Sequence, residues 1–508
     1  MIKGLSKEIQ RIISQNENLS RYLFSLTQEQ PSTQRSWLYE NKDPQEILEN
    51  WKNHLYSLET GNSFEREVFQ FDISQEEKWG PQGGHAPISE LMKDIVLPSF
   101  EKSKPNPSAF TLTAAKPDWL AACNNVDLEM QQNGVRGLRP ASYKRVLDDM
   151  RARDTLESNS GFPDFARRNL PEVKLHAINA AEDGSYRNYP AIALFRTYRA
   201  KTRLVWMFPM ATNLKEATYY QPAQSAIINS GLKFYAPWVG FNHVRDIITD
   251  AYNSGRYIAA SDFSATDAHF QRASTYQVAD VLLRAFVEPS QSGLFDSLEL
   301  MHNIPLLIGP DKMLTGWHGV SSGSNWTNFV ETIFDRLFSE YVSIKEDFRV
   351  SGFYAIGDDM AWISDSYNDA FARKLEQYGE DVGQVIKAEK TTNDPDKVKT
   401  LQRLFQRGYS RPDGKLRGVY STIRALNSSV YPEKFHNPKL WSSDMFCARQ
   451  YMILENCVDH PLFEEFVNFV VHGQKDLIPF ARKSAGQLNK IMRETKLLPG
   501  FNPTYNQE

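Results

Sequence analysis

The sequence predicts an α+β fold: an antiparallel sheet with helices packed on it, followed by an all-helical C-terminal part. Three observations carry this expectation. Phe353–Ile356 and Met360–Ile363 are short aromatic and β-branched runs on either side of Gly357-Asp358, which reads as a tight hairpin turn. Trp326, Phe329, Val330, Ile333, Phe334, Leu337 and Phe338 recur at alternating spacings of three and one, an amphipathic helix with a buried stripe. Beyond about 425 the stripes, such as Phe463, Phe466, Val467 and Val470, are helical.

At 508 residues the chain is too long for one core, so two or three subdomains are expected. It is 41% hydrophobic and 12% aromatic, ample for a folded interior. A net charge of −4 excludes a uniformly basic coat, so any polyanion site must come from local clusters of Lys and Arg. Cys123, Cys447 and Cys457 form neither a paired metal pattern nor a disulfide framework, which points to a reducing interior. No apolar run approaches the ~18 residues of a membrane span. Met1-Ile-Lys-Gly-Leu-Ser6 has no signal-peptide core.

Residues 1 to about 105 read as polar and mostly helical, with Ile9, Ile12 and Ile13 on one stripe and Ile47, Leu48 and Trp51 on another. Lys102-Ser-Lys-Pro-Asn-Pro107 reads as a linker. From about 108 basic residues accumulate, and Tyr143–Arg153 is expected to be a helix carrying four of them. It stops at Ser158-Asn-Ser-Gly-Phe-Pro163. Small residues around Ser160 and Gly161 would let a nucleic-acid strand pass close to backbone N–H groups, or would simply form a loop. Leu194–Met207 holds Arg196, Arg199, Lys201 and Arg203 and no acid. Lys201 and Arg203 alternate with Leu204 and Trp206, so one strand face either holds cations toward a triphosphate or faces water at a sheet edge.

Tyr257–Ala260 reads as a buried strand with Asp262 at its end, leading into a helix from about Ala265 to Val287. Ser264-Ala-Thr-Asp267 has capping-box spacing, so Asp267 is either a helix cap or a carboxylate at a strand-to-helix junction, where metals and phosphates bind in many folds. Ser322-Gly323-Ser324 reads as a flexible turn ahead of the amphipathic helix, with Thr327 and Asn328 in its first turn. The hairpin lifts Asp358 and Asp359 to its tip. Adjacent like charges repel, and a divalent cation is the usual reason to keep them, although an ordinary Asp-rich turn has the same look. A helix from about Asn368 to Tyr378 is expected to end at a Gly379 cap. Val382–Ile386 reads as a strand, and Arg411-Pro-Asp-Gly414 as the turn of a hairpin between Leu401–Tyr409 and Leu416–Tyr420. Gly500–Glu508 is polar and expected to be irregular.

In order and spacing, Asp262-x4-Asp267, Ser322-Gly-x3-Thr327, Gly357-Asp-Asp359 and the basic run at Lys201 and Arg203 resemble the viral RNA-dependent RNA polymerases over roughly residues 158 to 409. The Ser-Gly-Ser-Asn-Trp-Thr-Asn segment looks most like the picobirnavirus members, with the partitivirus enzymes as neighbours. The resemblance implies a right hand: residues 1–105 as a helical extension bridging fingers and thumb, 106–255 as fingers, 256–270 and 315–410 as palm, 271–314 as a fingers insertion, and 411–508 as thumb and tail. It implies that Asp262 and Asp358, assisted by Asp359, hold two Mg²⁺ ions, with Mn²⁺ as a substitute, and that Lys390 stands behind the pyrophosphate. Lys201 and Arg203 would hold the incoming triphosphate. Asp267, with Thr327 or Asn328, would read the ribose, and Ser322 and Gly323 would also line the nucleotide site. Arg196, Arg199, Ser160, Gly161, Phe405 and Arg407 would contact RNA. Family members place Asn four residues after the helix Thr, where this sequence has Glu331. Partners implied are template and product RNA, ribonucleoside triphosphates and the interior of a viral capsid, with no membrane. The implied enzyme is a monomer that copies a double-stranded RNA genome inside the virus particle and in the host cytoplasm.

The chemistry agrees with the residues. Nucleotidyl transfer needs in-line attack on an α-phosphate between metal ions held by few carboxylates on rigid elements, with cations facing the phosphates. A reverse transcriptase would carry Met before the hairpin carboxylates and an aromatic five residues after the first Asp, where Gly357 and Asp267 stand. The near-neutral net charge and the absence of a basic tail disfavour a non-catalytic RNA-binding or capsid-associated protein, the remaining alternative.

Overall fold

Two faces of one antiparallel sheet organise the centre of the molecule. The computed structural model describes residues 1–101, 116–346, 350–434 and 441–496, so the linker at 102–107 and the tail at 500–508 lie outside the described residues. Strands run in chain order as β1 (Ile2–Gly4), β2 (Ala191–Tyr198), β3 (Lys201–Met207), β4 (Tyr257–Asp262), β5 (Leu306–Leu307), β6 (Lys312–Leu314), β7 (Val350–Ile356), β8 (Asp359–Ser364), β9 (Thr392–Asn393), β10 (Lys397–Thr400) and β11 (Arg403–Gln406). The central sheet has the order β7-β8-β4-β9. Alternation along its strands divides the side chains. Ala259, Phe353, Ala355, Met360 and Trp362 pack with the helix Trp326–Glu346. Ile258, Ala260, Tyr354, Ala361 and Ile363 pack with the helix Phe241–Asn253.

A second sheet, ordered β1-β6-β5-β2-β3, carries the basic run on its edge strand. Its core takes in Leu5, Ile9, Ile13, Leu19 and Leu23 from the start of the chain. Residues 38–71, in contrast, share a core with residues 404–491. There Asp72, at the end of the helix Ser63–Ile73, accepts from Ser421 Oγ, from the backbone N–H groups of Thr422 and Ile423, and from Thr422 Oγ1. It thereby satisfies the otherwise orphaned first turn of the helix Thr422–Val430. The C-terminal described part is helical, as expected from its stripes.

Several local expectations are corrected. The helix after Asp262 is broken: Thr266–His269 ends at Phe270, which turns extended so that its ring can pack 5.0 Å from Phe334, and a new helix starts at Arg272. Gly379 does not cap a helix, because Phe371–Asp381 runs past it. Its missing side chain instead admits Ile386, whose Cγ1 would lie 3.3 Å from a Cβ there. Val382–Ile386 is not a strand, since Gly383 turns left-handed (φ +78°) and only Ile386 bridges, to Phe263. β11 pairs with β10 across a turn at Leu401-Gln402, both with positive φ, and meets the 416–420 segment only through a single Leu404–Val419 bridge. The Arg411–Gly414 turn does close, with Gly414 N donating to Arg411 O at 3.0 Å.

Candidate active site

β4 and β8 are adjacent and antiparallel, and their register sets Asp262 directly opposite Asp359. The β7–β8 turn is tight because Gly357 adopts φ +59°. A Cβ at that position would stand 3.0 Å from Asn328 Nδ2, so the glycine also lets the hairpin close onto the helix Trp326–Glu346. Thr332 Oγ1 accepts from Gly357 N at 2.9 Å. The turn reaches the end of β4 as well. Phe263 N donates to Asp358 O at 3.2 Å, and Thr266 Oγ1 donates to Asp358 Oδ2 at 3.2 Å. Asp262, Asp358 and Asp359, separated by up to 97 positions in sequence (359 − 262), are therefore brought together where the β7–β8 turn meets the end of β4.

Their charge state reflects this crowding. Desolvation, then repulsion from Asp358, raises Asp262 above the usual carboxylate range. Desolvation likewise raises Asp358, and pushes Asp359 up to about 7 with help from Asp358 and Asp262. Asp267 is pushed up to about 6 by desolvation and Asp358. Asp267 and Asp359 are open to water in the cleft while protein surrounds them. Lys201 and Arg203 oppose these shifts at Asp267 and Asp358, and Lys390 and Lys201 do so at Asp262. The exposed cations of β3 thus face the carboxylates, although β3 is indeed an edge strand. Lys390 sits at the end of the 3-10 turn Ala388–Lys390.

Asp267 is no helix cap. The N-cap position belongs to Ala265, left-handed at φ +51°, and no side chain closes that end. Ser322 and Gly323 form the turn before the long helix. Gly323 lies so close to β3 that a Cβ would come within 1.5 Å of Trp206 O. Thr327 Oγ1 donates to Ser321 O at 2.6 Å, so its proton is turned to the loop. Asn328 Oδ1 accepts from Trp238 Nε1 at 3.0 Å, which leaves its Nδ2 beside the hairpin turn.

Other expected site residues are engaged in packing. Phe405 is fully buried and stacks on Phe241 at 5.9 Å. Arg407 donates to Asp396 and to the carbonyls of Tyr252, Arg256 and Pro395, so neither side chain is offered to RNA. Ser160 is buried, and its Oγ accepts from Ala166 N at 3.1 Å. Gly161, at φ +65°, lies against Phe208 O. Arg196 forms a two-pronged pair with Glu433 at 2.6 and 2.9 Å. Arg199, in the β2–β3 turn, donates to Gln75 Oε1.

Two buried acids lie under the hairpin: Glu331, which the sequence showed only as a departure from the family's Asn, and Asp335, which sequence reading missed. Glu331 and Asp335 are held well above the usual carboxylate range by desolvation, then by neighbouring acids. Asp335 is fully buried, with both oxygens unpartnered. The available signal was an i, i+4 pair of acids inside a stripe of core residues. Trp238 and Thr266 were missed too, each lacking any motif of its own.

Among the described residues no group of three or more His, Cys, Asp or Glu forms a ready metal cage. Mg²⁺ does not need one: it takes one or two carboxylates and completes its shell with water and substrate phosphate. The donor set of Asp262 and Asp358, two mutually repelling oxygen ligands on adjoining backbone, suits that hard cation.

Residues 198–418 match the family model described as viral RNA-dependent RNA polymerase. Over these residues the chain is similar to the viral RNA-dependent RNA polymerases. A "potential RNA-dependent RNA polymerase" of human picobirnavirus is 27% identical over 517 aligned positions, covering 96% of this polymerase and 91% of that protein. The crystal structure of the RNA-dependent RNA polymerase of a human picobirnavirus superposes with a TM-score of 0.79 at 23% identity, over 97% of this chain and 94% of the other. An insertion-loop deletion mutant of that enzyme gives 0.82 at 23% identity, covering 97% of each chain. The fold of this polymerase is therefore the right hand.

Proposed function

We propose that this RNA-directed RNA polymerase replicates and transcribes a double-stranded viral RNA genome by metal-assisted nucleotidyl transfer. The observation that supports the reading best is the meeting of Asp262 and Asp358, joined through the 3.2 Å bond from Phe263 N to Asp358 O, within electrostatic reach of Lys201 and Arg203 on the exposed edge of β3. Asp262 and Asp358, with Asp359 assisting, would hold Mg²⁺, or Mn²⁺ in its place. Bound there, two such ions would stabilise the attacking 3′-oxygen and the departing pyrophosphate. Lys201 and Arg203 hold the triphosphate in line, so that the 3′-hydroxyl attacks the α-phosphate and the bond to the β-phosphate breaks. Lys390 balances charge on the pyrophosphate as it leaves. Asp267 accepts from the ribose 2′-hydroxyl.

In this reading residues 106–255 and 271–314 are fingers, 256–270 and 315–410 palm, 411–508 thumb and tail. Residues 1–105 tie fingers to thumb, as the shared cores at both ends support. The enzyme acts as a monomer on template RNA within the capsid, and in the host cytoplasm during infection. The test is extension on an RNA template with Mg²⁺ and ribonucleotides, wild type beside Asp358→Asn. Template-length RNA from the wild type alone supports the reading. Product made only from deoxyribonucleotides would favour a reverse transcriptase, and retention of RNA without product would favour a binding protein.

A further inference from the structure

Glu216 lies in the helix Met210–Asn229, with 1% of its surface exposed. A buried carboxylate needs hydrogen-bond donors. Those of Glu216 come from the Ser322–Asn325 loop and from its own helix. Ser324 Oγ donates to Oε2, and the Asn325 backbone N–H donates to Oε1 at 3.1 Å. Asn213 Nδ2, one turn earlier, donates to Glu216 Oε1 at 2.8 Å and to Gly323 O at 3.2 Å. Asn325 Nδ2 returns a bond to Asn213 O at 3.0 Å. On the other side the loop rests on β3, with Gly323 against Trp206 O. The loop is thus clamped between β3 and Glu216, and Thr327 and Asn328 follow it directly. The same network extends to the turn around Ser160 and Gly161. Arg168 donates Nη2 to Asn213 Oδ1 at 2.8 Å and Nε to Asn159 O at 3.1 Å.

We propose that Glu216 is a positioning residue for nucleotide selection, holding the Ser322–Asn325 loop in register with the Ser160-Gly161 turn. The inference rests on the polymerase reading above. Only a carboxylate presents acceptors to all three donors at once. An amide in its place turns an NH₂ toward Ser324 or Asn325. A shift of the loop then displaces Thr327 and Asn328 relative to the sugar, while RNA affinity, which rests on cations and phosphates, stays the same.

The experiment compares Glu216→Gln, Ser324→Ala and the double variant by KM and kcat for each ribonucleotide, by the ribo/deoxy ratio, by RNA affinity, and by amide hydrogen exchange at Asn325. Glu216→Gln is expected to raise KM for all four ribonucleotides roughly tenfold, the scale of one charge-assisted hydrogen bond. The ribo/deoxy ratio falls, Asn325 exchanges faster, and RNA affinity is unchanged. The double variant stays within about twofold of Glu216→Gln, because one clamp is broken only once. Unchanged kinetics in folded Glu216→Gln, or losses that multiply in the double variant, overturn the proposal. If Glu216→Gln fails to fold, Ser324→Ala decides alone: a changed KM and ratio uphold the clamp, and wild-type values overturn it. A wild type that makes no RNA overturns the polymerase reading instead.

Discussion

Asp262 and Asp359 are direct partners across the antiparallel pair β4–β8. Side chains so opposed stand about 4.5–5.5 Å apart at Cβ, where like charges destabilise. The turn brings Asp358 beside them through its bond from Phe263 N. Protonation, a bound cation or the nearby Lys201, Arg203 and Lys390 relieves that repulsion.

Asp262→Asn and Asp358→Asn should each cut nucleotide incorporation on the order of 10³-fold, the size of a lost preorganised electrostatic contact. RNA affinity measured by filter binding should change less than about twofold, since it depends on cations. Synthesis by Asp358→Asn at the wild-type rate would remove it from the reaction.

Arg203→Ala should raise KM for all four ribonucleotides alike, by roughly 10- to 150-fold if one charged phosphate contact of about 1.5–3 kcal/mol is lost. Phosphate contacts carry no base information. Steady-state kinetics with each nucleotide checks this, and a defect confined to one base argues against it.

Asp267→Ala should lower the ribo/deoxy ratio of kcat/KM by roughly 5- to 150-fold, for a hydrogen bond worth about 1–3 kcal/mol. Because Asp267 caps no helix, thermal stability should move by no more than about 0.5 kcal/mol. An unchanged ratio in the folded variant counts against sugar reading.

Asp335→Asn should become more stable relative to wild type as pH rises above the unfolded carboxylate value of about 4, at up to about 1.36 kcal/mol per unit. The folded-state pKa of Asp335 is raised by burial. Its stability contribution is therefore full below the unfolded pKa, and is lost as pH climbs toward the folded value while the unfolded chain ionises. Melting temperatures across that range decide it, and parallel curves for the two proteins would show that Asp335 ionises normally.

The hairpin at 353–363 and the 326–338 stripe were legible because pattern and packing agree there: each residue's local preference matches the face it buries. Legibility failed where tertiary contact overrides the local signal. Phe270 leaves the helix to reach Phe334, Gly379 makes room for Ile386 instead of ending a helix, and Ser264-x-x-Asp267 has the spacing of a cap without its bonds. Asp262, Asp267, Asp358, Lys201 and Arg203 were readable from order and spacing. Asp335 and Glu216 were not, and Glu331 stood out only as a departure from the family's Asn, because spacing does not reveal burial. Phe405 and Arg407 show the converse, family positions whose side chains are taken up by packing and by hydrogen bonds within the protein.

The first strand pairs with residues 312–314, and Asp72 is satisfied by Ser421, Thr422, Ile423 and His460. Residues 2–4 and 72 thus depend on partners hundreds of positions later in the chain. Until those arrive, Leu19, Leu23, Leu48 and Trp51 have no complete core to enter. Such non-local closure folds late and exposes apolar surface on the way. A chain lacking residues 404–491 would accordingly leave the core of residues 38–71 open.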